Sequence, residues 1–260
     1  MSHTPRKRFG QNFLRDDAVV HRIVQSVGPQ VGERLIEIGP GEGAMTRFFL
    51  AAGAHIEAIE IDRDLAALLR QRFAHEAGFH LNEGDALKFD FGRLATNGPI
   101  RVVGNLPYNI STPLIFHLFS HAGMISEMTF MLQREVVERL CAKTGDSEYG
   151  RLSIMTQYYC EAENLFEVGP ESFYPPPKVV SAIVRLTPHT KPPVDADPKA
   201  LGRVVTQAFM QRRKTLRNAL RDLFSEEDLR ASEIDPGARA ETLSLASYAR
   251  LARLWASRNP

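Results

Sequence analysis

Short apolar runs alternate with amphipathic stretches over the first two-thirds of the chain. Residues 34–38, 55–61, 79–82, 101–104 and 127–132 are each rich in Ile, Val, Leu or Phe and end at turn residues, as buried strands do. Between them the period lengthens. In residues 16–27 the apolar positions Val19, Val20, Ile23, Val24 and Val27 fall on one helical stripe, and residues 44–52, 64–75, 112–121 and 134–143 read similarly. Strands alternating with helices predict a mostly parallel sheet with helices on both faces, because parallel neighbours need helical crossovers. Two later apolar runs, 165–168 and 181–186, flank the stiff loop Phe173-Tyr174-Pro175-Pro176-Pro177-Lys178 and fit an antiparallel hairpin closing the sheet edge.

The texture then changes. Pro188, Pro192, Pro193 and Pro198 stand among polar residues and mark a linker over 188–199. Beyond it the pattern is helical at 199–211, 215–224, 225–232 and 245–257, with Ser225 and Asp228 spaced as a capping box. The expected organisation is an α/β domain over 1–187 and a small all-helical domain over 188–260.

Composition narrows the class only modestly. The chain has 260 residues, 43% hydrophobic and 24% charged, enough to bury a real core. The net charge of +1 gives no overall bias toward nucleic acid, but the charge is clustered. Arg6, Lys7 and Arg8 stand near the start. Arg212, Arg213, Lys214, Arg217 and Arg221 stand late, and Arg213, Arg217 and Arg221 recur at helical spacing, as a basic stripe for RNA backbone would. Cys141 and Cys160 have no CxxC spacing and the eight histidines form no ligand pattern, so neither a metal site nor a disulfide framework is expected. No apolar run is long enough to span a bilayer, and no apolar region follows the basic start. These features read as a cytoplasmic protein, and the lack of a spare apolar stripe points to a monomer.

The sharpest local signal is Glu37-Ile38-Gly39-Pro40-Gly41-Glu42-Gly43-Ala44, between a predicted strand and a predicted helix. Such a loop lets backbone approach a nucleotide-like ligand closely. The ligand class stays open at this point, since Gly39, Gly41 and Ala44, with Glu60 ending the next strand, also satisfy a loose dinucleotide pattern. Asp85 follows the third strand, and Asn105 begins Asn105-Leu106-Pro107-Tyr108 after the fourth. In a doubly wound sheet these strand ends share one rim. Glu60 could accept from ribose hydroxyls and Asp85 from an adenine amine.

The Asn-Leu-Pro-Tyr string suits one reaction. The exocyclic N6 amine of adenine is a poor nucleophile because its lone pair is delocalised into the ring. Acceptors for its two hydrogens, such as the Asn105 side-chain carbonyl and the Pro107 backbone carbonyl, would aim that lone pair at an electrophile. Tyr108 would supply a stacking face. Orientation and electrostatic placement then carry the acceleration.

On these motifs the sequence closely resembles the small-subunit rRNA adenine dimethyltransferases, nearly end to end. Arg8-Phe9-Gly10-Gln11-Asn12-Phe13-Leu14 is similar to the family's N-terminal cofactor motif, and Phe173-Tyr174-Pro175-Pro176-Pro177-Lys178-Val179 to its target-base loop. Phe209, Arg212, Arg213, Lys214, Thr215, Leu216 and Arg217 look like its basic helical signature, and Arg239, Glu241 and Leu243 to Leu245 like its C-terminal one. The resemblance implies a Rossmann-like class I methyltransferase fold and S-adenosylmethionine as cofactor. It implies dimethylation of two adjacent adenosines near the 3′ end of small-subunit rRNA, with the immature small ribosomal subunit as partner and a role in its maturation. It places Asn12, Leu14, Gly39, Glu60, Asp85 and Asn105 at the cofactor. It assigns catalysis to Asn105, Leu106, Pro107, Tyr108 and Phe173, with Tyr108 and Phe173 sandwiching the adenine. One departure is the triple proline with Val180 and Ser181, where an acidic residue often follows the lysine.

Three other readings compete: a nicotinamide oxidoreductase, a non-enzymatic ribosome-assembly factor, and a methyltransferase for another adenine. Against the first, Tyr108 lacks a lysine four residues on, where Thr112 stands. Leu106 favours RNA over DNA, because DNA amino-methyltransferases usually carry two prolines in this motif. Reversing Arg213 and Arg217 to Glu is expected to weaken RNA binding and leave cofactor affinity intact; unchanged RNA affinity in a filter-binding titration across salt would refute this.

Overall fold

The computed structural model describes residues 11–95 and 98–259. The basic cluster Arg6, Lys7, Arg8 and the motif residues Phe9 and Gly10 lie outside the described residues. In chain order the regular elements are β1 (Phe13–Leu14), α1 (Asp17–Val27), β2 (Arg34–Ile38), α2 (Thr46–Ala51), β3 (His55–Glu60), α3 (Arg63–Arg72), β4 (Phe79–Glu83), β5 (Ile100–Asn105), α4 (Ser111–Phe119), β6 (Ile125–Gln133), α5 (Arg134–Cys141), α6 (Arg151–Tyr159), β7 (Cys160–Val168), β8 (Phe173–Tyr174), β9 (Ser181–Pro188), α7 (Pro198–Met210), α8 (Leu216–Ala219), α9 (Glu226–Ala231) and α10 (Leu245–Arg258).

Seven strands form one sheet in the order β4-β3-β2-β5-β6-β9-β7. The first five are parallel to their neighbours, and β9 returns antiparallel to β6. The chain runs outward from β2 to β4, then crosses back to place β5 on the other side of β2. That reversal opens a crevice beyond the carboxyl ends of β2 and β5. The central strands are apolar along their length because both faces are covered: Leu35, Ile36, Ile56, Ala58, Val102 and Val103 are all buried. Helix α1 starts where Asp16 accepts from the N–H groups of Ala18 and Val19, and ends at Gly28 with φ +60.

Two compact units emerge. One reaches to Val137 and resumes over Glu163–Pro188; the other joins Glu138–Ala162 to the chain from His189 onward. A single cut at 187 therefore does not describe the division. Helix α6 belongs to the second unit, where it and α10 pack on α7. The Tyr149 hydroxyl donates to the Leu243 carbonyl (3.0 Å) and the Tyr158 hydroxyl to the Ala196 carbonyl (2.8 Å), so this stretch is hydrogen-bonded into the C-terminal chain.

The expected helix over 215–224 shrinks to the four residues of α8. The backbone N–H groups of Leu216 and Arg217 donate to the Ala238 and Pro236 carbonyls, which commits this segment to a tertiary partner. Arg213 lies in a turn before α8 and Arg221 beyond its end, so the predicted single stripe is not formed. The basic side chains of Arg212, Arg213, Lys214, Arg217 and Arg221 are nevertheless all exposed. Arg217 pairs with Glu226 at 3.8 Å, Arg221 with Asp222 at 3.6 Å, and Arg212 donates to the Ser147 carbonyl.

Two charged features bear on stability. At the amino ends of β2, β5 and β6, Arg101 meets Glu33 (2.8 Å) and Glu127 (2.7 Å) and donates to the Val27 carbonyl at the end of α1. Arg101→Ala leaves Glu127 with Arg185 (3.4 Å), Glu33 with the Gln30 N–H (2.9 Å) and the Val27 carbonyl without this donor, and is expected to cost roughly 2 kcal/mol in urea denaturation. In β2, Glu37 is fully buried. One oxygen accepts from the Thr46 hydroxyl at 2.6 Å, and the other has no hydrogen-bond partner among the described residues. Burial, with Glu60 adding repulsion, raises its pKa from 4.5 to about 7. A raised carboxyl favours the protonated folded state, so its contribution is intact below the unfolded value and is lost as pH rises through the folded one. Parent and Glu37→Gln should match in stability near pH 4.5. The parent should fall behind as pH rises, by on the order of 3 kcal/mol above about pH 7. A gap independent of pH in denaturation at pH 5 and 8 would contradict this.

Candidate active site

The crevice at the strand reversal contains a cavity of about 240 Å³. Its floor is the loop between β2 and α2. Gly39, Gly41 and Gly43 all adopt positive φ there, so the loop turns as the sequence pattern requires. A Cβ on Gly43 would stand 2.7 Å from the Phe73 ring, and one on Gly41 would stand 3.1 Å from the Phe13 ring, which packs over the loop from the N-terminal arm.

The other walls come from the neighbouring strand ends. Glu60 ends β3, Asp85 follows β4, and Asn105 ends β5; with Asn12, Leu14, Gly39, Leu106, Pro107 and Tyr108 they line one cavity. Nearly all the residues predicted from sequence to face cofactor or target therefore meet there. Three carboxylates, Glu42, Glu60 and Asp85, border the cavity, and no Lys, Arg or His does among the described residues. Glu42 is matched by Arg15 at 2.7 Å. Glu60 is buried, and one of its oxygens accepts from the Asp62 N–H at 2.8 Å. Burial pushes its pKa up to about 7, although the backbone N–H groups of Asp62 and Gly41 hold it lower than burial alone would.

The arm over the cavity is tied at two levels. Its two-residue strand β1 pairs antiparallel with β8, Phe13 opposite Tyr174 and Leu14 opposite Phe173. Ahead of it, the Gln11 side chain donates to Asp62 (3.1 Å), and the Asn105 side-chain nitrogen donates to the Asn12 carbonyl (3.1 Å). The second contact fixes the Asn105 amide. A backbone carbonyl can only accept, so the –NH2 must face Asn12 and Oδ1 must face the other way. Asp62 and Gln11 were not singled out from sequence; the Asp62–Asp64 spacing, a helix N-cap pattern, was the available signal.

The loop after β5 corrects one expectation. The Pro107 carbonyl accepts from the Ile110 N–H at 3.1 Å, closing a turn into α4. The Leu106 carbonyl accepts no hydrogen bond from the described residues. Tyr108 is half-buried, and its hydroxyl sits 2.7 Å from the Ser181 hydroxyl. Burial raises its pKa, against the opposing effect of that hydrogen bond.

Phe173 does not line the cavity. It is 5% exposed and packs in the core with Leu14, Val20, Met131 and Ile183. Strand alternation explains this: in β8 one side chain turns inward and the next outward, so the exposed aromatic is Tyr174, at 59%. A sandwich of Tyr108 and Phe173 is absent from this arrangement. Among the described residues no cluster of His, Cys, Asp or Glu could hold a metal ion, and no helix is long and apolar enough to cross a membrane.

Known proteins share this architecture. Residues 2–257 match the family model described as ribosomal RNA adenine dimethylase. The ribosomal RNA small subunit methyltransferase A of Methylococcus capsulatus is 60% identical over 253 residues, covering 97% of this chain and 98% of that protein. That of Pseudomonas aeruginosa is 60% identical over 252 residues, covering 96% and 94%. Among solved structures, a dimethyladenosine transferase from Plasmodium falciparum superposes with a TM-score of 0.81 at 25% identity, covering 95% of this chain and 98% of that one. The 23S rRNA methyltransferase ErmE gives 0.71 at 26%, covering 93% and 98%. With its glycine loop, its Asn-Leu-Pro-Tyr turn and the arm above them in one crevice, the chain belongs to the ribosomal RNA adenine dimethylase family.

Proposed function

We propose that the chain transfers methyl groups from S-adenosylmethionine to the N6 amines of two adjacent adenosines near the 3′ end of small-subunit rRNA, and so takes part in maturing the small ribosomal subunit. The observation that carries the cofactor assignment is the sign of the cavity. Glu60 and Asp85 have no cationic partner among the described residues, and no cationic side chain borders the cavity. A dinucleotide would have to rest its pyrophosphate on the backbone N–H groups of the glycine loop, with the Glu42 carboxylate in that loop and no cationic side chain at the cavity among the described residues. A nucleoside bearing a sulfonium cation meets matching charge. Glu60 would take the ribose hydroxyls, Asp85 the adenine amine, and the glycine loop the close backbone approach. Bound there, S-adenosylmethionine supplies an electrophilic methyl group.

The chain's residues would then present the acceptor. Asn105 Oδ1, turned away from Asn12, accepts one N6 hydrogen of the target adenine. The Leu106 carbonyl accepts the other, since the Pro107 carbonyl is engaged in its turn. The amine lone pair is then directed out of the ring plane toward the methyl group, and the Tyr108 face stacks on the base. No strong base is required, because the nitrogen becomes acidic once alkylated. After one methylation a single N–H remains for the two acceptors, so one of them can hold the base for a second transfer. The target must lie in a loop or be flipped out of a helix. The exposed arginines and lysine at 212–221 are the proposed contacts to RNA backbone, as separate points on a turn-rich segment.

The direct test is methyl transfer from labelled S-adenosylmethionine into under-methylated small subunits, followed by nucleoside mass spectrometry. Dimethyladenosine is the expected product. Cofactor binding without incorporation would instead favour another RNA target or an assembly role. Asn105→Ala should lower transfer by on the order of a hundredfold or more while sparing RNA binding; near-normal turnover would refute the role given to this amide.

A further inference from the structure

The polar end of Tyr108 is fixed by a side chain from the far half of the sheet. Its hydroxyl lies 2.7 Å from the hydroxyl of Ser181. Ser181 is fully buried and is the first residue of β9. Its backbone position is set twice. Ser181 registers opposite Gln133 on β6, and the preceding Val180 carbonyl accepts from the Arg134 N–H at 3.0 Å. β6 in turn runs parallel to β5, which ends in Asn105. The amide and the phenol are thus both referred to the same strands, one directly and one through Ser181.

The geometry of a phenol makes this contact directional. Conjugation keeps the O–H in the ring plane, and the oxygen's accepting direction lies near that plane too. Whichever group donates, Ser181 lies close to the plane of the Tyr108 ring, and both ring faces point away from it. The Tyr108 carbonyl is also held, accepting from the Ser111 hydroxyl at 3.1 Å, so the residue is fixed at both ends. A stacking wall needs this property: a face set at a fixed height above the acceptors that hold the base edge.

We infer that Ser181 is a positioning residue for methyl transfer, which fixes the Tyr108 ring at the angle that stacks the target adenine between the Asn105 acceptor and the methyl group. This rests on the reading of Tyr108 as the stacking face. Ser181 touches neither substrate nor cofactor in this account. It is not needed for the cofactor cavity, which it does not line.

The test is a double-mutant cycle of Ser181→Ala, Tyr108→Phe and the pair, with Tyr108→Ala as reference. For each, kcat and KM on under-methylated small subunits are measured, with the Kd of S-adenosylhomocysteine and the melting temperature. Ser181→Ala and Tyr108→Phe should each lower kcat roughly tenfold, the loss of one hydrogen bond's worth of positioning. KM and the cofactor Kd should stay near the parent values, and the double variant should be no slower than either single one. Two results would overturn the inference. One is a Ser181→Ala enzyme with parental kcat. The other is a Ser181→Ala loss that persists in full on the Tyr108→Phe background or comes with a matching loss of cofactor affinity, as a general packing defect would give. If Tyr108→Ala itself turns over normally, the failure belongs to the stacking role of Tyr108.

Discussion

β2 hydrogen-bonds in parallel to β3 on one side and to β5 on the other, and that double pairing sets the height of everything at the rim. Because the three strands run the same way, Ile38, Glu60 and Asn105 end together, and the loops leaving them face one crevice. The approach of β5 is close. A Cβ at Gly104 would stand 2.5 Å from the Ile38 carbonyl oxygen, so the residue before Asn105 has no room for a side chain without a backbone shift. The glycine loop and the Asn-Leu-Pro-Tyr turn are therefore held side by side by backbone, with little dependence on side-chain packing.

Charge at this junction works against the fold and for the ligand. Two neighbouring carboxyl groups, Glu37 beneath the loop and Glu60 at its edge, are both buried and both raised toward neutrality. Neither has a cation to offset the cost of burial among the described residues. A folded core gains nothing from this arrangement. Glu60 borders the cavity whereas Glu37 does not, so the proposed cationic nucleoside would bring to Glu60 the positive charge that the described residues lack.

Much of this was legible in the sequence, and the failures have physical causes. Strand 34–38 matches β2 residue for residue because Leu35, Ile36 and Ile38 form a short apolar run that ends at the glycine loop, even with Glu37 inside it. Helix α6 was missed because it is buried on nearly every side: Leu152, Ser153, Ile154, Met155, Thr156 and Tyr158 are all inside, so no stripe marks it. The rim residues were found because their positions follow from topology. Phe173, expected at the target base, has its side chain in the core, because which way this two-residue strand faces is set by its pairing with β1, about 160 residues earlier. The helix expected at 215–224 starts one residue late and stops after Ala219, where the chain passes into turns up to Phe224.

The pairing of β1 with β8 also constrains the order in which the protein can be made whole. Phe13 and Leu14 leave the ribosome early, yet their strand partners are Tyr174 and Phe173, and the Arg15 N–H donates to the Ser172 carbonyl. Until that distant stretch has been synthesised, the arm lacks its strand partner and keeps only its contacts to Gly41, Asp62 and Asn105. Closing so long a loop is among the slowest contacts a chain of this size can form. The nascent protein would thus reach Tyr174 before the arm can pair as a strand, and the arm would be fully tied over the cavity only after that stretch is made.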